Sequence, residues 1–332
     1  MAVGIFKRWM KRIALVLAAL LLVAFVFIQL SFRTWRHHQR DQISNGSTLL
    51  ELEQGTLEYA TVGEGPAILY MHGAPGGYDL STPVQGFRTI TPSRPGYLRT
   101  DLSIGPTYQA AASAYAALLD SLAIEQVAIV GISAGGPSAL QFAMQYPERV
   151  WALVLISAIT KERILPIPER SMFERVTDIL FGQDFADWVQ LKALQQFPEA
   201  LLLEGENEML SPDDQKILRT NPKKLQQLQE LFSNYLGVGS RRLEGYINDR
   251  VQYAKISEPD PLPITAPTLV VHGTADSDVV YDYAESAARR IGGAQLVPIE
   301  GAGHLAVWVR DEIVMPLIAD FLKEKYSASF EE

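Results

Sequence analysis

Hydrophobic and polar positions follow three different rhythms along the 332-residue chain. From Ile13 to Ile28 every residue is apolar, and the run reaches Phe32 with only Gln29 and Ser31 interrupting it. About 20 such residues, rising ~1.5 Å each, cross the roughly 30 Å hydrocarbon layer of a bilayer, so 13–32 is expected to be a transmembrane anchor. Trp9 and Trp35 flank it, where indole rings favour the membrane interface. A cleaved signal peptide is the competing reading. Such peptides have a shorter apolar region followed by small residues, whereas Leu30-Ser31-Phe32-Arg33-Thr34-Trp35 is bulky and charged.

The second rhythm begins after a short basic N-terminus (1–12), the anchor and a polar linker (33–48). Short apolar runs rich in β-branched residues alternate with longer helix-like segments, the α/β signature. Leu49–Leu52 and Thr56–Val62 are expected to form an opening hairpin. Inner strands are expected at Ala67–Met71, Arg88–Thr91, Gln126–Val130, Val150–Ile156, Thr268–Val271 and Gln295–Ile299. Their near-continuous apolarity implies burial on both faces. Thr107–Leu122, rich in Ala and Leu, reads as a crossover helix.

Between Thr160 and Leu262 the strand pattern stops, and charged, amphipathic text such as Phe185–Phe197 and Lys223–Leu236 replaces it. That is longer than an ordinary connection and is expected to be an inserted helical lid at 160–262. The core then divides into 49–159 and 263–332.

Charge sharpens this division. Residues 1–40 carry seven Lys or Arg and no acid, which leaves 22 basic against 38 acidic residues, a net charge of −16, in the remainder. Four of the basic residues precede the anchor and three follow it, which favours a cytoplasmic N-terminus and a body facing the periplasm or exterior. An acidic body argues against a nucleic-acid surface. The chain has no cysteine, so disulfides, thiolate catalysis and cysteine-ligated metals are excluded.

The chemistry concentrates in a few turns. Gly131-Ile132-Ser133-Ala134-Gly135 follows a buried strand and precedes a helix-compatible segment, Pro137–Gln145. A nucleophile at such a sharp turn needs small neighbours, which makes Ser133 the candidate nucleophile. A serine hydroxyl needs a base. Of the five histidines, His37 and His38 adjoin the anchor and His72 and His272 end strands, whereas His304 lies in the flexible turn Gly301-Ala302-Gly303-His304. Asp276, in the turn after Thr268–Val271, is the candidate acid that orients it, with Asp278 as competitor. Oxyanion donors are expected from the amides of Ala134 and Ala74, since Pro75 cannot donate.

Five segments, His72-Gly73-Ala74-Pro75-Gly76-Gly77, Ser93-Arg94-Pro95-Gly96-Tyr97, Gly131–Gly135, Gly273–Asp276 and Gly303-His304, stand in the order found in α/β-hydrolases. From Leu49 to Tyr326 the chain resembles the alpha/beta-hydrolase-1 type. The resemblance implies an eight-stranded, mostly parallel sheet, a lid after the sixth strand, and no metal or organic cofactor. Arg94 is expected to pack structurally.

The leading expectation is a membrane-anchored serine esterase acting on a small-molecule ester or amide, lipid-like esters included. The lid aromatics Phe173, Phe181, Phe185, Trp188, Phe197, Phe232, Tyr235 and Tyr246 are candidates for an apolar acyl pocket. The His72–Gly77 loop is similar to that of proline iminopeptidases, so a peptidase is the alternative, with Glu204, Glu206 and Glu208 available for an amino terminus. Ala134, however, stands where those enzymes usually carry Trp. A catalytically silent binding module is the third reading. Oligomeric state is not legible.

Overall fold

The long apolar run lies within one uninterrupted helix, α1 (Ala2–Asn45), in the computed structural model, which describes residues 2–169, 171–204, 208–256 and 258–330. Glu206 of the acidic run lies outside the described residues. The large apolar side chains from Phe6 to Phe27 are exposed along α1, and a 40-residue stretch, Phe6–Asn45, meets the length and hydropathy of a membrane span.

The sequence expectation of a linker at 33–48 is corrected here: the helix continues through Asn45 and packs on the body. Phe32, Arg36, Gln39 and Ile43, spaced by four, three and four, form the packed stripe. Phe32 is fully buried, with its ring centroid 5.3 Å from that of Phe185. Arg36 Nε lies 3.8 Å from Asp184, and Ile43 is buried with its carbonyl accepting from Tyr78 Oη at 2.7 Å. Two of the four residues, Arg36 and Gln39, are polar, so the stripe does not register as an apolar face in sequence.

The sheet follows the expected strands closely: β1 (Thr48–Leu52), β2 (Gly55–Val62), β3 (Ala67–Met71), β4 (Arg88–Pro92), β5 (Val127–Ile132), β6 (Val150–Ile156), β7 (Thr268–Gly273) and β8 (Gln295–Ile299). Their order is β1-β2-β4-β3-β5-β6-β7-β8. β2 pairs antiparallel with β1 and β4, and all other pairs are parallel.

Alternate residues serve opposite cores. Ile129, Leu153 and Val270 face the cluster containing α2 (Tyr108–Ser121) and α3 (Gly136–Gln145). Val130, Val154 and Val271 face the one with Ile318 and Leu322. Each fully buried side chain of this kind contributes roughly 1.5–3 kcal/mol, which is why the inner strands tolerate no polar alternation. Thr107 caps α2 by accepting from the Ala110 amide at 3.2 Å.

Between β6 and β7 the chain forms α4 (Met172–Phe181), α5 (Phe185–Gln196), α6 (Pro198–Leu202), α7 (Pro212–Thr220), α8 (Pro222–Leu236) and α9 (Leu243–Tyr253). These have their own leucine core, including Leu194, Leu218 and Leu228. The remaining helices are α10 (Asp282–Arg290), α11 (Ala306–Val309) and α12 (Asp311–Phe330). Because β3, β5, β7 and β8 are parallel, the turns carrying His72, Ser133, Asp276 and His304 all leave from one sheet edge.

Candidate active site

Ser133 sits where β5 turns into α3 with φ = +51°, a left-handed conformation that an ordinary residue adopts only when its surroundings enforce it. The enforcement comes from close packing at both flanking glycines. A Cβ on Gly135 would lie 2.0 Å from the Met71 carbonyl oxygen, and one on Gly131 would lie 2.6 Å from Ala139 Cβ. Gly135→Ala is therefore expected to lower stability by about 1–3 kcal/mol or more, read as a lower Tm in detergent solution. An unchanged Tm would mean that the turn is not tightly held.

The structure brings Ser133, His304 and Asp276 together. His304 Nε2 lies 3.0 Å from Ser133 Oγ, and His304 Nδ1 lies 2.8 Å from Asp276 Oδ2. Burial pulls the imidazole pKa down, but the hydrogen bond and charge of Asp276, helped by Asp278, outweigh it and hold His304 above its usual value. Burial likewise pushes the Asp276 carboxyl up, yet the contacts to His272 and His304 prevail and hold it down at about 2. An ionised Asp276 only accepts, so Nδ1 carries the proton in neutral His304 and Nε2 is free to receive one from Ser133.

Asp276 is held on its other side as well. Its Oδ1 accepts from the amides of Asp278 and Val279 at 3.0 and 2.9 Å. Asp278 occupies a different place: its Oδ2 is 3.7 Å from His304 Nε2, and its Oδ1 is taken by Arg163 Nη2 at 2.7 Å.

His272 is an addition that the sequence reading passed over. Its Nε2 lies 2.7 Å from the Val279 carbonyl and 3.2 Å from Asp276 Oδ2. Both are acceptors, so that nitrogen carries a proton and a second imidazole N–H supports the carboxylate. The i, i+4 spacing of His272 and Asp276 was the available signal.

Ala74 and Ala134 pack in one cluster with Ile159 and Val279. The loop after β3 that carries Ala74 approaches Ser133 closely, since a Cβ on Gly73 would lie 3.3 Å from Ser133 Cβ. Beside Ala74 opens an apolar cavity of about 430 Å³, lined among others by Pro75, Leu194, Met209, Phe232 and Tyr235. Ser133 is not part of its lining; Ala74 and Pro75 connect the two. Of the other aromatics, Tyr246 lines a smaller neighbouring cavity. Phe181, Phe185 and Trp188 stack together in the region of Phe32, and Phe173 and Phe197 are exposed.

Three buried connections tie the helical insert to this edge. Arg94 makes a two-pronged contact with Asp249 of α9 at 2.6 and 2.8 Å, while its Nε donates to the His72 carbonyl at 2.9 Å. The Arg94 amide donates to His72 Nε2 at 2.9 Å. Burial and the neighbouring guanidinium hold His72 well below the usual imidazole range, so it stays neutral and structural.

Arg242, fully buried, donates to the Gly76 carbonyl at 2.6 Å and to Asp79 at 2.7 Å. Asp214, at the start of α7, accepts from the Gly303 amide at 2.6 Å and pairs with Arg310 at 2.9 Å. Removing one partner of such a buried pair costs about 3–5 kcal/mol. Among the described residues, no group of three or more His, Asp or Glu is arranged to hold a metal.

Residues 66–311 match the model of the alpha/beta hydrolase fold family. An uncharacterized hydrolase, YcgS, of Bacillus subtilis is 35% identical over 273 residues, covering 79% of this chain and 93% of that protein. The 2-hydroxy-6-oxo-6-phenylhexa-2,4-dienoate hydrolase of Comamonas testosteroni is 26% identical, covering 83% of this chain and 94% of the relative. Among solved structures, an alpha/beta hydrolase fold protein from Nakamurella multipartita superposes with a TM-score of 0.69 at 30% identity, covering 84% of this chain and 98% of that one.

Proposed function

The chain belongs to the alpha/beta hydrolase family, and from that premise we propose that it is a membrane-anchored serine hydrolase cleaving a carboxylic ester through an acyl-enzyme on Ser133. The observation that carries this reading is the unbroken contact from Ser133 through His304 to Asp276. His304 Nε2 takes the Ser133 proton as the oxygen attacks the ester carbonyl, and the resulting imidazolium is stabilised by Asp276. The amides of Ala74 and Ala134 are the proposed donors to the oxyanion, and α3, whose N-terminus follows Ser133, adds its dipole. His304 then protonates the departing alcohol, and the same groups direct water onto the acyl-enzyme.

The apolar cavity beside Ala74 suits an acyl chain. The anchor is α1, with the body on the periplasmic or outer side as the charge flanks favour. The Comamonas relative acts by name on a dienoate; at 26% identity its substrate does not transfer.

A fluorophosphonate probe tests the reading. Wild type is expected to be labelled and the Ser133→Ala control not, with esters cleaved in preference to aminoacyl-prolyl amides. Folded but unlabelled wild type would make the chain a binding module, and preference for the amides would make it a peptidase.

A further inference from the structure

Helix α4 carries its apolar stripe on the wrong side for a soluble protein. Met172, Phe173, Val176, Ile179 and Leu180 follow the i, i+1, i+4, i+7, i+8 spacing of one helical face, and all five are exposed, Met172 at 83% and Ile179 at 85%. Thr177, between them in sequence, is buried. A surface helix ordinarily turns its apolar face to the core, and a contiguous exposed apolar face marks something that covers it. Ile164 and Ile167 extend the apolar surface into the segment before α4.

The position of α4 against α1 identifies the cover. The ring of Phe181 lies 5.4 Å from that of Phe25, and Gln29 Nε2 donates to the Leu180 carbonyl at 3.1 Å. Phe25 precedes Phe32, the last residue of the apolar run, by seven residues, about 10 Å along a helix. That depth matches the roughly 5–10 Å to which the apolar face of an interfacial helix sinks below the headgroups.

We infer that α4 is a second membrane element, an in-plane helix whose exposed stripe lies in the leaflet beside α1, and that the enzyme takes an ester-bearing amphiphile from that leaflet. The substrate side follows from the first turn of α4: Glu174, with Pro168 and Glu169, lines a cavity of about 250 Å³ that also reaches Pro75, the neighbour of Ala74. Docking of α4 sets this cavity beside the lipid. The inference rests on α1 being the anchor proposed above.

The absence of cysteine permits a direct test in the full chain, with single labels introduced by Ile179→Cys and by Glu125→Cys. Glu125 is exposed before β5, at the sheet edge opposite Ser133. Both variants carry an environment-sensitive fluorophore and are reconstituted into phosphatidylcholine/phosphatidylglycerol vesicles. The label at 179 is expected to be quenched by brominated acyl chains and shielded from aqueous iodide, with the reverse at 125. Equal iodide quenching at both positions overturns the docking of α4 while leaving the anchor intact. Self-quenching at 179 that grows with protein density, without quenching by brominated lipid, overturns it in favour of a second copy. Release of the wild type by alkaline carbonate overturns the anchor and the docking together.

The double variant Val176→Asp, Ile179→Asp separates delivery from chemistry. Turnover of a vesicle-borne long-chain ester is expected to fall about tenfold or more, the equivalent of losing one or two buried aliphatic side chains, with turnover of a water-soluble short-chain ester unchanged. Equal losses on both substrates overturn delivery from the leaflet.

Discussion

Replacing Ser133 by alanine is expected to lower ester turnover about a millionfold, roughly 8 kcal/mol of transition-state stabilisation. The size of the effect follows from what remains without the hydroxyl. The proposed oxyanion donors, the amides of Ala74 and Ala134, would still polarise a carbonyl, and His304 and Asp276 would still hold each other at 2.8 Å, but no group would form the covalent acyl intermediate. Residual catalysis is then that of a preorganised binding site acting on water. The variant is expected to fold, because alanine at φ = +51° is no more strained than serine. Steady-state kinetics beside a melting curve check this, and retention of activity within a factor of ten would remove Ser133 from the mechanism.

Asp276→Asn is expected to cost about 10⁴-fold in kcat, by a route that the local hydrogen bonds dictate. Asp276 Oδ1 accepts from two backbone amides, so the asparagine oxygen must stay there and its NH₂ group must face His304 Nδ1. Two donors cannot meet, and the imidazole is forced to the tautomer with its proton on Nε2, where it cannot receive one from Ser133. The same NH₂ group confronts His272 Nε2, which also needs an acceptor.

The pH profile carries a second signature. The proposed mechanism needs neutral His304, and its pKa is raised, so the acid limb of kcat/KM in the wild type is expected above the ordinary imidazole value of about 6.5. Without the Asp276 charge and hydrogen bond, burial is opposed only by the weaker pull of Asp278, and the limb is expected to move down. For stability the signs are opposite. The depressed pKa of Asp276 adds stability above the unfolded value of 3.8, which is lost as pH falls through about 2. The raised pKa of His304 adds stability below about 6.5, which is lost as pH rises through its folded value. A wild-type limb at or below 6.5 would mean that Asp276 does not govern the imidazole.

The parts of this fold that were legible in sequence are those where one physical demand acts on consecutive residues. Two-sided burial makes β5, β6 and β7 read as apolar runs, and the crowding around Gly131 and Gly135 writes the turn that presents Ser133. The unbroken apolar run makes the first half of α1 equally plain as a helix long and apolar enough to cross a membrane. What was not legible depends on partners far apart in the chain. Arg94 and Asp249 are separated by 155 positions, and nothing near either residue announces the pairing. Asp214 reads as an ordinary capping residue of α7, although its carboxylate also holds the Gly303 amide beside His304. The second half of α1 was missed for a related reason: its packed face uses Arg36 and Gln39, and polar contacts carry no hydrophobic period.

The buried links of Arg94, Arg242 and Asp214 join the helical insert to both loops that flank Ser133. A hinged cover would have to break several desolvated ion pairs at every turnover, an expense out of proportion to opening a passage. If the chain cleaves esters as proposed, selection among them is expected to fall to an entrance held in place by α7 and α9, which discriminates by girth and length as a sieve does. Its selectivity should be the same at the first turnover as at the thousandth.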